Sequence, residues 1–362
     1  MLYNLLYPLA EQFHLLNLLR YITFRSAGAI LTSLLIVLFV MPSLIRYLRK
    51  AYNKGQPIRD DGPQQHLSKQ GTPTMGGIAI ILSVVGSTLL WGDLNNRYLW
   101  VVIFVTLGYA ILGFIDDYLK VSKYNTKGVP GKLKLIYQIT IAIVAGLGIQ
   151  SITDSAYNSH IALPLFKDLL LNLGWLYIPF VIVVIVGASN AVNLTDGLDG
   201  LAIVPITLAA GCFALIAYLT GSYKFASYLQ IQFVQGSAEL AVFCAAMVGA
   251  GLGFLWYNAQ PAEIFMGDVG SLACGGALGV VSVIVKHEVL LAIIGGLFVI
   301  EALSVIIQVY YFKFTKGKRF FKMAPIHHHF EKSGWSESKV VARFWIIAVI
   351  FAIIGLATLK IR

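Results

Sequence analysis

A chain of 362 residues that is 58% hydrophobic and only 12% charged is not a soluble enzyme, in which about a quarter of the residues would carry charge. Its net charge of +10 comes from basic residues set between apolar runs, so it speaks to orientation in a bilayer and excludes nucleic acid as a partner. Cys212, Cys244 and Cys274 all stand in apolar runs, which excludes a disulfide framework.

The first nineteen residues, MLYNLLYPLAEQFHLLNLL, lack a basic leader region and read as an interfacial amphipathic segment, not a cleaved signal. Ten apolar runs follow, at 22–46, 74–92, 97–115, 133–150, 175–191, 200–220, 238–257, 270–285, 289–312 and 343–360. A helix needs roughly 20 apolar residues to cross a bilayer, so the expectation is an all-α, polytopic integral membrane protein with ten transmembrane helices. No soluble segment interrupts the array, and 1–362 reads as a single membrane-embedded domain. If odd-numbered runs enter the cytoplasm, the cytoplasmic loops are about 47–73, 116–132, 192–199, 258–269 and 313–342. Three of these hold most of the 27 lysines and arginines, among them Lys54, Arg59, Lys69, Lys120, Lys127, Lys132, Lys318 and Arg319. The excess of positive charge on that side places both termini outside, in the periplasm.

Loops 192–199 and 258–269 contain no lysine or arginine and carry Asp196, Asp199, Glu263 and Asp268 instead, while 116–132 opens with the acidic pair of FIDDYLK. Carboxylates at the edge of hydrocarbon are costly, and three such segments on one face suggest one site. Asp116 and Asp117 have Lys120 one helical turn on, which fits a solvated helix end with an ion pair. One lysine neutralises only one carboxylate, however, and a divalent cation or a proton would settle the other. In NAVNLTDGLDG the acceptors Asn190, Asn193, Asp196 and Asp199 fall at spacings of three, on one stripe of a helix. Gly197 and Gly200 allow a break or a close backbone approach; an N-cap to the next helix explains one of the aspartates but not both.

FMGDVGS puts Asp268 between glycines at the start of a run, either as a cap or as a carboxylate beside helix-N-terminal amides, where phosphate and Mg²⁺ are at home. Phe265 and Asn258 nearby could stack on and hydrogen-bond a base, or simply pack. In MAPIHHHFE, the side chains of His327, His328 and His329 diverge and no cysteine pair accompanies them; imidazoles facing phosphate fit better than a zinc site. An oxygen-rich, thiol-free set selects a hard ion, Mg²⁺ or Mn²⁺. Such a set suits phosphoryl transfer, where the protein positions groups and neutralises developing charge. Glu301, with Ser304 and Gln308 at i+3 and i+7, reads as lining the protein interior. Intramembrane acids also mark ion pathways, so a secondary transporter is a rival reading, against which stand the one-sided carboxylates and the lack of an internal repeat.

DDYLK at 116–120, NAVNLTDGLDGLA at 190–202, FMGDVGSLA at 265–273 and APIHHHFE at 324–331 closely resemble the polyprenyl-phosphate N-acetylhexosamine-1-phosphate transferase superfamily. The histidine segment and SKQGTPTMGG at 68–77 narrow the resemblance to the phospho-N-acetylmuramoyl-pentapeptide-transferases, and it extends to the closing WIIAVIFAIIGLATLK. It implies transfer of phospho-N-acetylmuramoyl-pentapeptide from UDP-N-acetylmuramoyl-pentapeptide to undecaprenyl phosphate, giving lipid I and UMP with Mg²⁺, in the first membrane step of peptidoglycan synthesis. It also implies ten spans with outside termini, a homodimer, and a bacterial inner (cytoplasmic) membrane with the active site facing the cytoplasm. By motif, Asp116 and Asp117 correspond to the paired catalytic aspartates and Asp268 to the aspartate associated with Mg²⁺, with Asp117 beside it. His327 would sit by the diphosphate. Lys69, Asn193, Asp196, Gly197, Asp199, Asn258 and Phe265 would form the uridine pocket, with Thr74 and Gln308 nearby. Lys120, Lys132, Asn190, His328 and His329 would complete the substrate contacts. Two mechanisms stay open, direct attack by the lipid phosphate and a phospho-enzyme on Asp268. A sister activity, N-acetylglucosamine-1-phosphate transfer to a polyprenyl phosphate, shares the carboxylate motifs.

Overall fold

The computed structural model of the chain describes residues 1–51, 69, 71–123, 128–155, 157–163 and 170–360. Most of loop 47–73 and residues 124–127 of loop 116–132 lie outside the described residues, and with them Lys54, Arg59 and Lys127 of the charge argument.

The described chain is helical apart from one short hairpin. The N-terminal segment folds into α1 (Leu2–Leu6) and two 3₁₀ turns, Tyr7–Glu11 and His14–Arg20. It is pinned to the loop after the third helix by a hydrogen bond of 2.9 Å from Asn4 Nδ2 to Asp93 Oδ1. The apolar runs become α2 (Ile22–Ala51), α3 (Gly77–Trp91), α4 (Arg97–Ser122), α5 (Gly131–Ile152), α6 (Tyr177–Thr195) and α7 (Ile203–Thr220). After a short α8 (Tyr223–Leu229) come α9 (Leu240–Asn258) and α10 (Gly267–Ile284), and the chain closes with α14 (Glu337–Thr358). The run expected at 289–312 is two helices, α11 (Glu288–Ile294) and α12 (Gly296–Phe314). The reason is Gly295 and Gly296: a Cβ at 295 would lie 2.8 Å from the Leu291 carbonyl oxygen, and one at 296 would lie 2.7 Å from the Phe351 ring. Among the described residues nine helices are long and apolar enough to cross a membrane, while α3, with 15 residues, is shorter. α13 (Ile326–Glu331) carries the histidines.

α10 is buried along almost its whole length and forms the axis of the bundle. Small residues let its neighbours come close: a Cβ on Gly77 of α3 would meet the Gly270 nitrogen at 2.1 Å, and one on Gly113 of α4 the Asp268 carbonyl oxygen at 2.2 Å. Lipid gives helices no hydrophobic reason to associate, so such backbone-to-backbone packing must supply the attraction. The outward faces stay apolar, as with Leu31, Leu35 and Phe39 on α2 and Ile346, Ile350 and Ile353 on α14. The hairpin β1 (His160–Ala162) and β2 (Leu170–Asn172), paired Ile161 to Leu171, joins α5 to α6. It lies at the end of α5 remote from α4's Asp116 and Asp117, so one end of the bundle gathers the carboxylates and the other the hairpin.

Candidate active site

α4 runs past the expected span end at 115 to Ser122, which puts Asp116 and Asp117 on its last turns, both buried. Asp268 is the second residue of α10, and the close glycine contacts of α10 with α3 and α4 bring it to the same place. One oxygen from each of the three carboxylates lies within 4.8 Å of the others. At that separation each pair of charges repels by about 3 kcal/mol at an effective dielectric near 20, so cations must accompany them.

Two lysines do. Lys120 Nζ is 2.6 Å from Asp116 Oδ2 and 3.1 Å from Asp268 Oδ2. Lys134 Nζ is 2.8 Å from each of the same two oxygens. Asp268 Oδ1 accepts from Asn193 Nδ2 at 2.9 Å, and Asp116 Oδ1 from the Val129 amide at 2.6 Å. Asp117 Oδ2 accepts from the Val269 amide at 3.2 Å. Its Oδ1 has Lys120 only at 4.0 Å and is the least engaged carboxylate oxygen of the set. Gly267, at φ +73°, must be glycine twice over, since a Cβ there would also fall 2.4 Å from Asp117 Oδ2. Three carboxylates against two ammonium groups leave one negative charge. The donors are all oxygen, so these three residues could hold a hard ion such as Mg²⁺ or Mn²⁺.

Beside this cluster the loop after α6 is tied down from three directions. Lys69 Nζ bonds Asp199 Oδ1 at 2.7 Å and Glu337 Oε1 at 2.5 Å. The Asp199 amide donates to the same Glu337 oxygen at 3.0 Å, and Asp199 Oδ2 accepts from the Ala262 amide at 3.0 Å. Asn258 accepts from the Gly200 amide at 3.0 Å and donates to the Ile264 carbonyl at 2.9 Å. Phe265 is half-buried, its backbone bonded to Pro73 and Gly76 at 2.9 Å each. Thr74 is buried next to Gly267. Asp196 stands between the two groups, and burial, then the charges of Asp268 and Asp199, raise its pKa to about 7.

His327 is fully buried; its Nδ1 faces Glu301 Oε1 at 3.1 Å, and a Cβ on Gly197 would lie 2.3 Å from its Nε2. His328 Nδ1 is engaged by Glu331 Oε2 at 2.7 Å. His329 Nδ1 accepts from the Lys322 amide at 3.1 Å. Gln308 Oε1 accepts from the Phe320 and Phe321 amides at 3.2 and 2.8 Å. These two therefore hold the loop between α12 and α13. Asn190, one turn before Asn193, is used between helices, donating to Gln138 Oε1 at 2.9 Å and the Val186 carbonyl at 2.8 Å.

Of the residues expected from sequence, then, Asp116, Asp117, Lys120, Asn193 and Asp268 meet in one cluster. Lys69, Asp199 and Asn258 form a second, and Gly197 and His327 a third. Lys132 is exposed and outside these clusters, whereas Lys134, not singled out from sequence, reaches Asp116 and Asp268. The signal was present: Lys134 stands four residues before Gln138 and eight before Ala142, on the buried stripe of α5. Glu337 had no comparable signal, because an acid at the start of a helix is an ordinary cap.

A family model described as "Glycosyl transferase family 4" matches residues 99–286. A second, described as "Phospho-N-acetylmuramoyl-pentapeptide-transferase signature 1", matches residues 69–81. Among curated proteins, the chain is 59% identical over its whole length, and over the whole of the relative, to a phospho-N-acetylmuramoyl-pentapeptide-transferase of Granulibacter bethesdensis. Proteins of the same name from Rickettsia bellii and Rickettsia felis are 59% and 58% identical, again with both chains fully covered.

Proposed function

We propose that this chain, which belongs to the phospho-N-acetylmuramoyl-pentapeptide-transferase family, transfers phospho-N-acetylmuramoyl-pentapeptide from its UDP carrier to undecaprenyl phosphate, forming lipid I and releasing UMP. The observation that carries the reading to the atomic level is the convergence of Asp116, Asp117 and Asp268 within 4.8 Å, next to a loop fixed by Lys69, Asp199 and Asn258. A cluster of acids compensated by two lysines is built to receive an anion together with a cation, as phosphoryl transfer requires.

In the direct route Asp116 accepts the proton of the lipid phosphate, whose oxygen forms a bond to the β-phosphorus as the bond from that phosphorus to the UMP oxygen breaks. Lys120 and Lys134, already bridging Asp116 and Asp268, compensate the charge that shifts between them. Mg²⁺ held by Asp117 and Asp268 would neutralise the diphosphate and polarise its phosphoryl oxygens. Asp268 as a nucleophile fits less well, because a carboxylate that would also hold Mg²⁺ has its lone pairs engaged by the ion.

The basic loops support ten spans with both termini outside, in a bacterial cytoplasmic membrane with the site facing the cytoplasm; family likeness supports a homodimer. The test is purified protein with UDP-N-acetylmuramoyl-pentapeptide, undecaprenyl phosphate and Mg²⁺, scored for UMP. Release that stops in excess EDTA and returns with Mg²⁺ or Mn²⁺ is expected; turnover with UDP-N-acetylglucosamine instead would move the chain to the sister activity.

A further inference from the structure

Glu301 lies near the start of α12 with no exposed surface. A carboxylate there, fully buried in a predominantly apolar helix, is costly unless something compensates its charge. Among the described residues its ion-pair partner is His327, on a different helix, at 3.1 Å between Glu301 Oε1 and Nδ1. The other face of the imidazole is just as constrained. Nε2 is buried, has no hydrogen-bond partner among the described residues, and points at Gly197, where a side chain would meet it at 2.3 Å. A polar nitrogen enclosed in protein and left without a partner is expensive unless a ligand supplies one. That nitrogen faces the loop that joins the carboxylate cluster to the Lys69–Asp199 cluster. Glu301 engages the opposite nitrogen and so decides which one is presented.

We infer that Glu301 is a positioning residue of this site: it fixes His327 with Nδ1 turned to α12 and Nε2 turned to the Gly197 loop, where Nε2 meets a phosphate group of the nucleotide substrate. This rests on the transferase reading for the identity of the anion. The pairing explains the acid in this helix: Glu301 is the side chain that engages Nδ1 and so orients the ring. It explains Gly197 as well, where any side chain would occupy the place of the ring. Other titratable groups around the ring are His328, whose ring is 4.1 Å away between centroids, Glu331, which engages His328, and Asp196, the neighbour of Gly197 on the facing loop.

The test is Glu301→Gln in the full-length protein, which keeps the shape and an acceptor for Nδ1–H but removes the charge. At neutral pH kcat/KM should fall about 10–100-fold. Glu301→Asp should bind UDP within a few-fold of wild type, which keeps the inference falsifiable if Glu301→Gln fails to insert. A binding arm uses UDP and uridine as probes: Glu301→Gln should weaken UDP by about 10-fold or more and leave uridine unchanged. Wild-type protein that binds UDP no better than uridine, or Glu301→Gln protein that binds UDP as tightly as wild type does, would each overturn the inference. Wild-type protein inactive with the muramoyl substrate would instead overturn the transferase reading, and the UDP and uridine arm would still decide the role of Glu301.

Discussion

Asp116, Asp117 and Asp268 differ in what already holds them, and that difference separates their roles. Asp116 has the Val129 amide on one oxygen and two lysine ammonium groups against the other, Asp268 has two lysines and the Asn193 amide, and Asp117 keeps one oxygen nearly open. Replacing any of the three with asparagine should cut turnover about 10²–10⁴-fold while the protein still inserts and purifies; near-normal turnover in one of them would remove that residue from the site. Lys134→Met should lose activity on a similar scale, whereas Lys132→Met, at an exposed position two residues away, should stay within a few-fold of wild type. Asp196 gives a pH signature. Its pKa, raised to about 7, means that the folded protein keeps the proton where an unfolded chain has already lost it. The resulting stabilisation is complete below the ordinary carboxylate range and is lost as pH rises through about 7. In EDTA and without nucleotide, thermal unfolding between pH 5 and 8 should therefore show wild type losing ground to Asp196→Asn as pH rises. Parallel curves would show that the carboxylate is not buried as described.

At the scale of helices, the end of the bundle opposite the site is clamped by one ion pair. Arg25 of α2 meets Glu239, in the turn before α9, through both carboxylate oxygens, and also reaches the Trp91 carbonyl at 3.2 Å. The Asp93 amide donates to Glu239 at 2.7 Å, so one carboxylate joins α2, the α3–α4 loop and α9. Glu239→Gln leaves the buried guanidinium without its counter-charge and should destabilise the protein by about 3–5 kcal/mol, read as a lower unfolding temperature in detergent. Adding Arg25→Met should recover part of that loss, and an unchanged unfolding temperature in Glu239→Gln would mean that the pair is solvated. Most helices were legible from sequence, because apolar length is a strong and local signal. The break at Gly295 was not: two glycines inside a long apolar run do not alter its hydropathy, and it takes the neighbouring Phe351 ring to show why they are needed.

For the molecule as a whole, the two chemical routes make opposite demands on the order of events. Direct attack needs the lipid phosphate before any UMP can leave; a phospho-enzyme on Asp268 would release one UMP per enzyme without it. With protein stripped of copurified lipid, labelled UDP-substrate and no acceptor, no burst of UMP is expected, followed by full activity once undecaprenyl phosphate is added. A stoichiometric burst with label trapped on the protein would establish the covalent route, and the lysines around Asp268 would then have to release it before attack.

By itself the sequence determined that the chain is a membrane-embedded helical protein, that its acids lie in loops expected on one face, and that a hard cation suits them. Those properties are written in composition, apolar length and residue type, which act locally. The resemblance of the motifs named the family before any fold was known. Only the tertiary structure decided that Lys134 and not Lys132 reaches the carboxylates, and that Glu337 shares Lys69 with Asp199 across 268 residues of chain. It also decided that Gln308 and His329 serve a loop, and that Glu301 faces His327. Each of these depends on how far one helix is rotated or advanced against another, and close packing through the glycines of α3, α4 and α10 sets that relation.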